Sequence, residues 1–265
     1  MRSSSDLPTL LRAMNPEEYE ILACVEREHW FYRGKREITY QWIKALFPSP
    51  QGKVFVDLGC GTGCFVEQMI QRGYPMIGVD DHQESIDRAR QLLGEKNFRE
   101  GSAEHFPFEE NKVDLITMLD VLEHLKEDQE ALVRMYQALK PGGILFITVP
   151  AFQFLWSDWD RSLHHFRRYS AGSLLPQLKA VGFEIVFSNY INVLAFPVVY
   201  LVRRWRECFG EAGNAFDRPE NRIPWGPLNR FLEWQFVRLA TQRWIRFPFG
   251  VSILVVARKL KSSCD

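Results

Sequence analysis

Three glycines at alternate positions, Gly59, Gly61 and Gly63, follow Asp57 at the end of an apolar run, Val54-Phe55-Val56. Phe65-Val66-Glu67-Gln68-Met69-Ile70 comes next, so the stretch reads strand, glycine turn, helix. Glycine permits the unusual backbone angles of such a turn and lets a ligand approach a backbone without Cβ atoms. The N–H groups of the helix start then offer a polar cradle. Asp80 lies 21 residues beyond Gly59, at the end of the next apolar run, with Asp81 beside it. An acid there can accept both ribose hydroxyls of a nucleoside. The spacing is G-x-G-x-G. A dinucleotide fingerprint needs its third small residue at position 64, which is Cys64, so a nicotinamide oxidoreductase is disfavoured.

A second group of residues carries proton chemistry. Asp120-Val121-Leu122-Glu123-His124 follows one apolar run, and His164-His165-Phe166-Arg167-Arg168-Tyr169 follows the next. A histidine titrating near neutrality can take the proton of a hydroxyl, and His165 is the first choice for that role, His124 the second. The HHFRRY stretch also admits a plainer role, as a charged aromatic loop that closes the fold. No metal is expected: Asp120, Glu123 and His124 show no fourth ligand nearby, and the five cysteines have no paired metal spacing.

These groups reach one cleft only if successive strands deliver them to the same edge of a sheet. Beyond the glycine loop the chain alternates accordingly, with strands over 74–79, 98–100, 113–118, 144–149 and 183–187 and helices over 83–93 and 173–181. Residues 120–124 open a further helix, and Lys140-Pro141-Gly142-Gly143 is a turn. This is the pattern of a doubly wound α/β sheet, whose ligands bind outside the carboxyl ends of the strands. At 265 residues and 46% hydrophobic, the chain suits one domain with additions. Lys plus Arg equals Asp plus Glu at 33 each, which gives no field for nucleic acid. The unpaired cysteines indicate a reducing, cytoplasmic setting, and the N-terminal residues lack an apolar core of signal-peptide length.

The glycine loop resembles motif I of the class I S-adenosylmethionine (SAM) methyltransferases. Gly101-Ser102-Ala103-Glu104-His105-Phe106-Pro107-Phe108 is similar to their adenine-holding G-D-A-E-x-L-P-F segment, with Ser102 in place of the usual Asp. HWFYRGKR at 29–36, DVLEHL at 120–125, LWSDWD at 155–160 and HHFRRYS at 164–170 together resemble a bacterial type 11/12 group. The resemblance implies a Rossmann-like seven-stranded, mostly parallel sheet with SAM as cofactor. It also implies methyl transfer to a small-molecule, glycan or lipid-linked acceptor, most readily at oxygen; a non-catalytic SAM-fold regulatory protein is the alternative. The cofactor-binding candidates are Asp57, Gly59, Gly61, Gly63, Asp80, Asp81, Ser102, Ala103 and Asp120. Arg33 or Arg36 would pair with the methionine carboxylate, if the N-terminal helices form a lid and are not ordinary helix packing.

The implied organisation is an N-terminal helical lid (1–48), a SAM-binding α/β domain (49–188), a helical insertion (189–248) and a final strand and tail (249–265). Residues 189–248 hold nine arginines and no lysine against five acids, with Trp205, Trp225, Trp234 and Trp244 among them. Such a face suits an amphiphilic acceptor, a membrane surface contacted peripherally, or a second copy of the chain, if its rings are not simply core.

Overall fold

The computed structural model describes residues 24–103, 105–209 and 222–260. The leader and the helix start expected at Asn15–Glu18 lie outside these residues, as does Glu104.

Strands β1 (Phe55–Leu58), β2 (Met76–Asp80), β3 (Phe98–Glu100), β4 (Val113–Leu119), β5 (Leu139–Pro150), β6 (Phe183–Ile191) and β7 (Ser252–Lys259) form one sheet in the order β3-β2-β1-β4-β5-β7-β6. The first five pair in parallel; β7 runs antiparallel to β5 and β6. This is the expected seven-stranded, mostly parallel sheet. Its central strands read as continuous apolar runs because both faces are covered. Successive side chains point to opposite faces. Val56, Ile116 and Leu145 enter one core, and Phe55, Leu115 and Phe146 the other.

Several boundaries differ from the sequence reading. β6 runs on to Ile191 because β7 pairs with it along its whole length, so the insertion starts after 191 and not at 189. Its helices are α7 (Phe196–Phe209) and α8 (Gly226–Ala240); the second stops before Trp244, which is 80% exposed. Residues 120–124 do not open a helix. Asp120 sits at φ 59°, a 3-10 turn covers Leu122–His124, and the next helix begins only at Asp128.

The N-terminal helix α1 (Trp30–Leu46) and α8 pack as one wall. Gly34 is needed at their contact, since a Cβ there would lie 2.6 Å from the Phe236 ring. Phe31 stacks on Phe236, and Arg33 pairs with Glu233 at 3.0 Å. Asn229 accepts from the Trp30 N–H at 2.9 Å and donates to the Glu28 carbonyl at 2.8 Å, so a residue of α8 satisfies an orphan donor at the start of α1. Among the described residues no helix is long and apolar enough to cross a membrane.

Candidate active site

The glycine loop is built as its sequence requires. Gly59, Gly61 and Gly63 all have positive φ, and a side chain at Gly59 would strike Val121. The Gly59 and Cys60 N–H groups donate to the Val79 carbonyl at 2.7 and 3.1 Å, which ties the loop to β2. Asp80, the last residue of β2, accepts from the Gly61 N–H at 2.8 Å and the His82 N–H at 3.0 Å. Each carboxylate oxygen keeps a further lone pair for a hydroxyl. Its neighbour Asp81 is exposed. Ser102 accepts from the His105 N–H at 3.0 Å, and Ala103 is buried in the core. A glycine cradle closed to any Cβ and an anchored acid at the second strand end fit a nucleoside cofactor of the SAM type.

Asp57 lies beneath the loop, buried, and accepts from the Thr117 hydroxyl at 2.5 Å. Burial pushes its carboxyl up to about 7 against that hydrogen bond, with the charges of Asp80 and Glu26 adding to the rise. From the helical residues 24–28, Glu26 reaches over the loop to the Thr62 hydroxyl. Arg36 donates to the Glu26 carbonyl at 2.5 Å and to Gln68 at 3.2 Å. Arg36 faces the cavity as expected. Arg33 is not among the cavity-lining residues, because its guanidinium is paired with Glu233 at the joint between α1 and α8.

On the cavity floor Asp120 forms an ion pair with buried Lys35 and accepts from the Thr148 hydroxyl at 2.9 Å. Burial alone would raise the Asp120 carboxyl; the Lys35 charge and the two hydrogen bonds overcome this and hold it low. Lys35 also lies 4.3 Å from the Phe31 ring centre, a cation–π contact.

Glu123 is wholly buried and neither of its side-chain oxygens has a hydrogen-bond partner. Burial, and then the nearby Asp120 charge, push its carboxyl well up. Each polar group left so costs about 1–3 kcal/mol. The His124 and His165 rings meet edge to face at 4.5 Å. Burial, with the neighbouring His165, lowers His124 to about 4, so it is neutral at physiological pH. His165 Nδ1–H donates to Asp160 at 3.0 Å, which fixes the ring's orientation and tautomer. Asp160 in turn receives Arg168 Nε at 2.6 Å and the Ser157 N–H at 2.8 Å, with Arg203 at 3.6 Å. Burial works against its charge, but these partners hold it far below the usual carboxylate range.

The HHFRRY stretch therefore does both things the sequence allows. His165 and Arg168 face the cavity, while Arg167 pairs with Asp128 at 2.9 Å and the Tyr169 hydroxyl donates to Asp128 at 2.8 Å, closing the fold.

A cavity of about 760 Å³ joins these groups. Asp57, Gly59, Asp120 and His165 face it from the sheet side, and Val198 and Phe231 from the insertion. Asp80, Asp81, Ser102 and Ala103 lie outside it, at and beyond the ends of β2 and β3. Sequence reasoning missed Lys35, Glu26 and Asp160. Only Asp160 left a trace, as the fourth residue of the box Ser157-Asp158-Trp159-Asp160 that starts α5 (Asp158–Ser162).

The sheet order, the glycine loop and the anchored Asp80 define the class I SAM-dependent methyltransferase fold. Residues 56–147 match the family model described as a methyltransferase domain, and this segment belongs to the type 11 group of that class. The chain is 25% identical over 170 residues to a probable S-adenosylmethionine-dependent methyltransferase of Mycolicibacterium smegmatis, covering 63% of this chain and 64% of that one. It is 35% identical over 118 residues to a ubiquinone biosynthesis O-methyltransferase of Bordetella avium, covering 42% and 48%. The chain thus spans about half to two thirds of the length of these curated relatives. A phosphoethanolamine N-methyltransferase 2 of Haemonchus contortus, solved with phosphomonomethylethanolamine and S-adenosylhomocysteine, superposes with a TM-score of 0.62 at 17% identity over 95% of this chain and 59% of that one. At that identity the likeness is one of fold.

Proposed function

We propose that the protein transfers a methyl group from SAM to a small-molecule, glycan or lipid-linked acceptor, at oxygen. The observation that carries this is the shared cavity: the glycine loop faces it from one side and His165, braced by Asp160, from the other. Bound SAM supplies an electrophilic methyl group on a sulfonium. Gly59, Asp57 and Arg36 would hold its amino-acid end, and Asp80 the ribose. The chain then has to align the acceptor and remove its proton. His165 is placed for the second task, because Asp160 occupies Nδ1 and leaves Nε2 as the basic nitrogen. His124, held neutral, stands beside it as the second candidate.

The apolar part of the cavity wall supports an amphiphilic acceptor. Val198 and Phe231 line the cavity yet are 63% and 57% exposed, so the lining runs out onto the surface of the insertion. Incubating the protein with methyl-labelled SAM and separate polar and lipid extracts tests the reading. Label in the lipid phase supports a lipid-linked acceptor, and label in the polar phase a free one. Tight SAM binding with no transfer to either would mark a binding protein.

A further inference from the structure

The geometry points to a divalent transition-metal site formed by Glu123, His124 and His165, with Zn²⁺ as the preferred ion. One ligand atom from each lies within 4.8 Å of the others. Sequence spacing argues against a metal here because His165 stands 41 residues beyond His124; the fold removes that separation. The Phe166 N–H donates to the Glu123 carbonyl at 2.8 Å, joining the two segments side by side.

Three features make this more than a cluster. First, Glu123 is wholly buried with both oxygens unpartnered, and a cation is the partner that would satisfy them. Second, both imidazoles are already oriented from behind. His165 donates Nδ1–H to Asp160, and the His124 ring is hydrogen-bonded to the backbone of Leu163. A metal-bound histidine usually gives its other nitrogen to such a group. Third, Asp120 is drawn away by Lys35 and Thr148, so the set is two imidazoles and one carboxylate. That donor set suits zinc and leaves a coordination position open to the cavity. Zinc–ligand distances of about 2.0–2.2 Å require the three groups to close in on the ion.

The inference rests on the methyl-transfer reading for its role only. With the ion in place the acceptor oxygen would coordinate it and release its proton to solvent, His165 acting as a ligand in place of a base.

The test is titration of chelator-treated, full-length protein with Co²⁺, followed by visible absorption, then displacement by Zn²⁺ followed by loss of that absorption. One equivalent bound with a low-coordinate cobalt spectrum is expected. Glu123→Gln should abolish the signal, and Asp160→Asn should weaken binding about 10- to 100-fold. His124→Asn serves as a second ligand variant should Glu123→Gln fail to fold, and it too should lose the signal. A wild-type protein that takes up no Co²⁺, or ligand variants that bind it unchanged, would overturn the site. Methyl transfer that persists in chelator would overturn only the catalytic role, and metal binding without transfer would overturn only the proposed function.

Discussion

Lys35 of α1 and Asp120 at the end of β4 form an ion pair across the cavity floor, joining the N-terminal wall to the centre of the sheet. Lys35 is buried, and the Asp120 side chain is 29% exposed. Removing one partner strands the other charge where water reaches it poorly. Lys35→Met should therefore destabilise the fold by roughly 3 kcal/mol, the low end for breaking a buried pair. Lys35→Met combined with Asp120→Asn should regain part of that loss. Urea unfolding of the two variants checks both statements, and equal stability of single and double variants would contradict the coupling.

Asp80 presents an anchored carboxylate to the cofactor cleft. Asp80→Ala should weaken SAM binding by about 1.5–3 kcal/mol, the range for a hydrogen bond to a charged group. Calorimetric titration of the folded variant measures this. Unchanged affinity would remove Asp80 from the cofactor site.

His165→Ala should lower turnover about 10²- to 10⁴-fold and leave SAM affinity near the wild-type value. Asp160→Asn keeps the shape but gives up the charge that orients the imidazole, so it should lower the rate in the same direction. A loss of SAM binding in His165→Ala would make the loop part of the cofactor site.

Asp57 links pH to stability. Burial raises its carboxyl to about 7 from an ordinary value of 3.8, so between those values the folded chain holds a proton that the unfolded chain has released. The stability this contributes is present below the unfolded value and is lost as pH rises through about 7. The thermal midpoint of ligand-free wild-type protein should fall more between pH 5 and pH 8 than that of Asp57→Asn. Parallel curves for the two proteins would show that Asp57 titrates normally.

The insertion exposes Leu201, Trp225 and Trp234, each more than 60% accessible, within a segment of net positive charge. If this face meets an anionic bilayer, co-sedimentation with anionic vesicles should be strong at low salt and fall steeply as salt is added. An apolar contact with a second copy should survive salt and show in the solution mass. A monomer that ignores vesicles at both salt levels would leave the face to substrate capping or internal packing.

The sheet was legible in the sequence because its signals are local: an apolar run, a glycine turn, an acid at the next strand end. Gly59 and Asp80 stand where that pattern puts them. The floor of the site was not legible, because Lys35 meets Asp120 across 85 residues and no local periodicity encodes that approach. Arg33 is the instructive failure. As a cation beside an expected cofactor carboxylate it resembles Arg36, and only the arrival of Glu233 from α8, 200 residues later, separates their roles. β6 outran its expected end for a related reason, since strand length there is set by the partner β7 and not by β6's own residues.

Asn229 joins two walls that other proteins are free to vary separately. The helix whose neighbours touch the cofactor loop has its first N–H satisfied from the segment that faces the acceptor. A lineage adapting residues around Asn229, Phe231 or Glu233 to a new acceptor would disturb the seat of Arg36 and Lys35 as well. Acceptor preference and cofactor affinity in this chain are thus inherited together, and a change of substrate has to be accompanied by compensation at the opposite end of the sequence.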